Sequence, residues 1–198
     1  MIDYELRIVR DTFANLFVLA LKNKFHPYSF TYYLEKSEFL LSIEKDIYPN
    51  CINKSLEELF FDITGQEIKG DYFGVYNDAY WCGIAYFELH MRLNKSFSYL
   101  FLKLPLVSML DLYNVYHEMD ISSLVQYFSE IEKKKTILRL LIENKKISVN
   151  DLSKATGINL NTLIKYSQSD DALYNASFQN IIKLVDYFDT TINLFVRK

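Results

Sequence analysis

Within four residues the chain places a histidine and two carboxylates, His117, Glu118 and Asp120. Such side chains commonly hold a metal ion or move a proton. Their i, i+1, i+3 spacing does not by itself bring three groups to one point, and there is no His-Glu-x-x-His run. The structural alternative is a helix junction, with Asp120 as a cap and His117 buried in a polar network. A third use is a surface on which Trp81, Tyr116, His117, Glu118 and Asp120 meet a partner protein. Gly65 and Gly70 do not build a phosphate loop, and neither a Gly-x-Ser-x-Gly nor a kinase pattern is present. Catalysis therefore has no positive support, and no cofactor or metal is expected.

A second set of residues suits a different chemistry. Asn159, Leu160, Asn161, Thr162 and Lys165 lie within seven positions. An Asn carboxamide can bond the edge of adenine at two points, and a Thr methyl or Leu160 can meet a thymine methyl. Lys165, together with the run Lys133, Lys134 and Lys135, suits phosphates, the usual source of affinity for nucleic acid.

These residues need a scaffold, and the stretch DLSKATGINLNTLIKYS, Asp151 to Ser167, supplies one. Leu152, Ala155 and Thr156 fall on one helical face, three and four residues apart. Gly157 ends that helix where a left-handed backbone is cheap for glycine alone. Ile158 re-enters the core, Asn159 can cap the next helix, and Leu163 and Tyr166 continue an apolar stripe. Two helices around a glycine turn make a helix-turn-helix, the second helix presenting its outer face to a major groove. The stretch resembles the Cro/repressor-type (XRE-like) helix-turn-helix. Leu152, Ala155, Gly157, Ile158 and Leu163 match that family's buried positions, and Ser153 stands where the family usually has alanine. One such module binds weakly, so double-stranded DNA is expected to be bound by a homodimer on a two-fold operator.

Composition agrees with helices. The chain has 198 residues, half of them apolar, with five Gly and three Pro, too few for a many-turned β-sandwich. Residues 1–130 hold 11 Lys+Arg and 18 Asp+Glu, a net of −7, whereas residues 131–198 hold 11 and 7, a net of +4. An acidic body joined to a basic tail suits a DNA reader attached to a protein-binding module. Cys51 and Cys82 have neither metal-ligand spacing nor a disulfide framework, and read as reduced thiols. Cys82 and His90 are too far apart on one helix to share a metal. Phe13 to Leu21 is not a signal peptide, and no stretch is long and apolar enough to span a membrane, so a cytoplasmic protein is expected.

Apolar periodicity places a buried helix from Tyr4 to about Asn23, and a second from Phe30 to Leu41 capped by Ser29 after an interruption at Pro27. Tyr48-Pro49-Asn50 reads as a turn and Ser55 or Asn53 as a cap, with that helix ending near Gly65. Gln66 to Asn77 reads as a loop, and Asp78 as the cap of the long helix AYWCGIAYFELHMRL. Ser96 to Lys103, a helix from Pro105 to about Leu112, and one capped by Asp120 or Ser122 follow. Trp81, Tyr86, Phe87, Phe97, Tyr99 and Phe101 could cage a ligand, though aromatics at helical spacing more often form core. After the helix-turn-helix, Ser177 caps a last helix, and Thr191 to Val196 is a β-prone tail.

The phrases AYWCGIAYFELHM and LPLVSMLDLYNVYHEMDIS resemble an uncharacterised module of low-GC Gram-positive bacterial and phage proteins. Its relatives carry a YW-small-G helix, a Y-x-x-YHEMD segment and then a helix-turn-helix. The matching residues are Tyr80, Trp81, Gly83, Tyr86, Tyr113 and Tyr116 to Asp120, and the resemblance spans roughly residues 30–195. It implies a regulator or antitoxin-like protein with a toxin-like partner, and carries over no catalytic residue. The expected architecture is all-α: an N-terminal helical bundle over 1–130 for partner binding or dimerisation, then a Cro-like DNA-binding domain over 131–198. A protein-interaction module that neutralises a partner without touching DNA is the alternative.

Overall fold

The computed structural model describes residues 2–45, 53–68 and 76–196. Among them are thirteen α-helices and no strand. The chain divides into two compact units, Met1–Val125 and Gln126–Lys198.

The first unit is built on α1 (Ile2–Lys22) and α5 (Asn77–Leu93). Val9, Phe13, Leu16, Phe17 and Ala20 of α1 are buried at helical spacing. The pair packs closely because Gly83 has no side chain: a Cβ there would lie 2.4 Å from the Ala14 Cα. Rings fill the space around that crossing. Phe13 lies 4.9 Å from Phe97 and 5.1 Å from Phe17, and Tyr86 meets Phe101 edge-on at 4.9 Å. Such pairs each add about 0.5–1.5 kcal/mol beyond area burial. The fully buried Tyr86 hydroxyl donates to the Leu104 carbonyl at 2.5 Å, so its burial leaves no orphaned polar group. Tyr86, Phe87, Phe97, Tyr99 and Phe101 are thus core.

Shorter helices complete the first unit: α2 (Pro27–Glu35), α3 (Glu38–Glu44), α4 (Leu56–Thr64), α6 (Phe97–Lys103) and α7 (Leu106–Tyr116), and the division at Val125 falls within α8 (Ile121–Ile131). The single helix expected from Phe30 to Leu41 is two. Pro27 starts α2 rather than interrupting, because a first-turn residue has no intrahelical N–H bond to lose. Ser29 is not the cap. Ser37 is, accepting from the Leu40 N–H at 3.2 Å and opening α3. Ser55 and Glu58 form a capping box for α4, which Gly65 ends at φ 68°. Asp78 lies inside α5, whose cap position is Tyr76. The helix after Pro105 continues past Leu112 to Tyr116. The turn at Tyr48-Pro49-Asn50, Cys51, and residues 69–75 of the expected loop lie outside the described residues.

The second unit contains α9 (Ile137–Lys145), α10 (Val149–Thr156), α11 (Leu160–Gln168), α12 (Asp170–Tyr174) and α13 (Phe178–Phe188). Ser177 caps α13 by accepting from the Asn180 N–H at 3.3 Å. Leu138, Leu152, Leu163, Leu173 and Leu184 are fully buried, one from each helix, and make its core. Burying one Leu contributes about 1.5–3 kcal/mol. The tail read as β-prone is a 3-10 turn, Ile192–Phe195, which buries Leu194 and Phe195. Burial of those two side chains outweighs the strand preference of the local sequence.

Candidate nucleic-acid interface

The helix α10 starts from a reciprocal cap. The Ser148 hydroxyl accepts from the Asp151 N–H at 3.1 Å, and Asp151 Oδ2 accepts from the Ser148 N–H and hydroxyl at 3.1 and 2.5 Å. Those two donors hold the Asp151 carboxyl below the usual carboxylate range. The helix ends at Gly157, whose φ of 67° is left-handed, with its N–H donating to the Ser153 carbonyl at 2.9 Å. The Ser153 hydroxyl donates across the turn to the Ile158 carbonyl at 2.7 Å. Leu152 and Ile158 pack inward on either side of the turn, whereas Ala155, expected at a buried position, is exposed.

The second helix, α11, is capped by Asn159, whose side-chain oxygen accepts from the Asn161 N–H at 2.9 Å. That oxygen shapes the turn, so Asn159 is less free for a base edge than its neighbours. Leu163 and Tyr166 hold α11 to the core, and the Tyr166 hydroxyl accepts from the Asn180 amide of α13 at 3.2 Å. Leu160, Asn161, Ile164 and Lys165 are exposed, and Thr162 is half-buried. Four-residue spacing sets Leu160 above Ile164 and Asn161 above Lys165, giving an apolar and a polar row side by side. Ile164 was missing from the sequence expectations; its spacing from Leu160 is the signal that would have found it.

Lys133, Lys134 and Lys135 are exposed just before α9. Lys135 is engaged by Glu143 at 2.6 Å.

Two tandem helices, a left-handed glycine and an outward polar row are the geometry of a groove-reading pair. Residues 137–193 match the family model of the Cro/C1-type HTH DNA-binding domain. The chain therefore carries an HTH domain, with α10 as its supporting helix and α11 as its recognition helix. No curated protein and no solved structure matches the chain.

The residues expected to meet a partner lie in the first unit. Trp81 is half-buried and meets Tyr113 edge-on at 5.8 Å, and Tyr113 stacks on His117 at 4.4 Å. His117 is exposed rather than buried: its Nδ1 is 2.8 Å from the Tyr113 carbonyl and its Nε2 3.6 Å from Glu118 Oε1. Asp120 caps α8, accepting from the Ser122 N–H at 2.8 Å, and hydrogen bonds from the Ser122 side chain and backbone hold its carboxyl below the usual carboxylate range. Tyr116 is half-buried. Among the described residues no three His, Cys, Asp or Glu side chains are placed to share a metal ion. Burial pushes the Cys82 thiol up, aided by the nearby Asp78, and His90 is held instead by the Lys95 carbonyl at 2.6 Å. Among the described residues no helix is long and apolar enough to cross a membrane.

Proposed function

We propose that the protein is a sequence-specific DNA-binding transcriptional regulator, working as a homodimer to repress its own small operon in the manner of an antitoxin. The observation that carries this reading is the outward row of α11, Asn161 above Lys165, in a domain that matches the Cro/C1-type family. Asn161 and Thr162 contact base edges, Leu160 meets a thymine methyl, and Asn159 orients the start of the helix. Lys165 and the run Lys133 to Lys135 face phosphates. The N-terminal unit binds the cognate toxin-like protein through the surface around Trp81, Tyr116, His117, Glu118 and Asp120. Val115 and Met119, exposed next to Tyr116 and Asp120 in the sequence, support that role.

Support for the double variant Asn161→Ala with Lys165→Ala would be loss of the native upstream sequence at unchanged circular dichroism. Unchanged binding by that variant removes α11 as the reader.

A second reading, a module that neutralises a partner protein without DNA, is favoured by one feature of the same helix. Leu160 and Ile164 are exposed side by side, and Lys165 is the sole basic residue of α11. Retention of a partner by the Asn161→Ala, Lys165→Ala variant, with no duplex binding by the unmodified chain, would select it.

A further inference from the structure

An open cavity of about 580 Å³ lies in the second unit between the lysine run, the first turn of α9 and the end of α11. Lys133, Lys134, Lys135 and Arg139 line it, against one carboxylate, Glu143. Lys135 engages that carboxylate at 2.6 Å, so three cations are left in excess. Among the described residues no carboxylate pairs with Lys133, Lys134 or Arg139. Ile142 and Val149 give the cavity apolar walls, which strengthen charge–charge attraction relative to open water. Its size falls within the range of small-molecule sites, roughly 300–1,000 Å³.

The cavity is continuous with the recognition helix. Gln168, which lines it, stands at i+7 from Asn161 and i+3 from Lys165, on the same row of α11. Seven residues of helix rise about 10 Å, close to the roughly 12 Å width of a major groove. With Asn161 at base edges, the cavity would lie about two helical turns from the contacted bases, within reach of phosphates bordering the groove.

We propose that this cavity is a polyphosphate site. It takes closely spaced phosphate groups, supplied either by the backbone of bound duplex or by a free nucleotide, and the two sources exclude each other. The duplex half of this inference rests on the DNA-binding reading; the nucleotide half does not.

The test uses the full chain, sodium tripolyphosphate and ATP as free probes in calorimetry, and duplex anisotropy, all at constant ionic strength. The combined Lys133→Ala, Lys134→Ala, Arg139→Ala variant, checked for fold by circular dichroism, removes the excess charge. Tripolyphosphate is expected to bind the unmodified chain and displace duplex, with both interactions weakened about tenfold or more in the variant. Glu143→Gln, which removes the one carboxylate, tightens tripolyphosphate severalfold. Duplex weakened in the triple variant while tripolyphosphate binds neither protein leaves only the phosphate contacts of the DNA-binding reading and overturns the polyphosphate site. Tripolyphosphate binding lost in the triple variant, with no duplex binding by any form, supports the site and sinks the DNA reading. Tripolyphosphate binding equally well to the triple variant overturns the proposal. So does indifference of both ligands to that variant, or binding of neither by the unmodified chain.

Discussion

Asp170 Oδ1 accepts a hydrogen bond from the backbone N–H of Ile137 at 2.7 Å, tying the residue that opens α12 to the first turn of α9. Beside it the Thr136 hydroxyl donates to the Ser167 carbonyl at 2.8 Å. The two bonds cross more than thirty residues of sequence and fix the start of α9 against the end of α11. They hold the cationic run beside the recognition helix. Asp170→Ala leaves a helix N–H without its partner and is expected to cost about 1–2 kcal/mol. Urea unfolding of the full chain measures it.

Gly83 is a tighter constraint. Its substitution by Ala drives a Cβ to 2.4 Å from the Ala14 backbone and 3.1 Å from the Phe17 ring. Because the clash is with backbone, α1 and α5 must separate. The expected loss is about 3 kcal/mol, read as a lowered urea midpoint. Gly157→Ala meets open space, with only the Lys183 Nζ at 3.8 Å, so its cost is the left-handed backbone alone, about 1 kcal/mol.

Binding and folding separate on α11. Leu163 is fully buried, so Leu163→Ala is expected to destabilise the second unit by about 2–5 kcal/mol. Leu160 and Ile164 are 36% and 37% exposed, and their replacement by Ala leaves the melting temperature nearly unchanged. Weaker duplex binding by those two variants is the expected readout in anisotropy.

The cap at the start of α10 is acid-sensitive. Folding lowers the Asp151 pKa through the Ser148 hydroxyl and N–H. A carboxylate lowered in this way stabilises the fold above its unfolded pKa, about 3.9, and that contribution disappears as pH falls through the lower folded value. Asp151→Ala is therefore expected to reduce stability at pH 6, and the loss to shrink as pH is lowered below the unfolded pKa, as urea titrations at pH 6 and in acid would show. Equal losses at both would contradict the charge-dependent cap.

What was legible in the sequence was local. Gly157 announced its turn because few residues tolerate its backbone, and the spacing of Leu163 and Tyr166 announced which face of α11 is buried. Ser55 and Ser177 announced caps because a short hydroxyl beside an apolar run has few other uses. Contacts between distant residues were hidden. Nothing in local spacing tells that Asp170 accepts the first N–H of α9 or that Glu143 engages Lys135. The break at Ser37 was hidden for a different reason. Tyr33, Leu34, Phe39 and Leu40 were expected to face inward along one helix. The last three are buried, so apolar spacing reads straight through two helices, although Tyr33 is exposed. His117 was expected in a buried network, but the end of α7 leaves it at the surface, stacked on Tyr113.

Fluorescence anisotropy on duplex DNA from upstream of the protein's own gene, repeated across salt and against a scrambled duplex, tests the central claim most directly. Tighter binding to the native sequence that weakens steeply with added salt is the predicted result. No binding at low salt by the folded full chain would contradict it, and would leave the aromatic first unit and its partner as the seat of function.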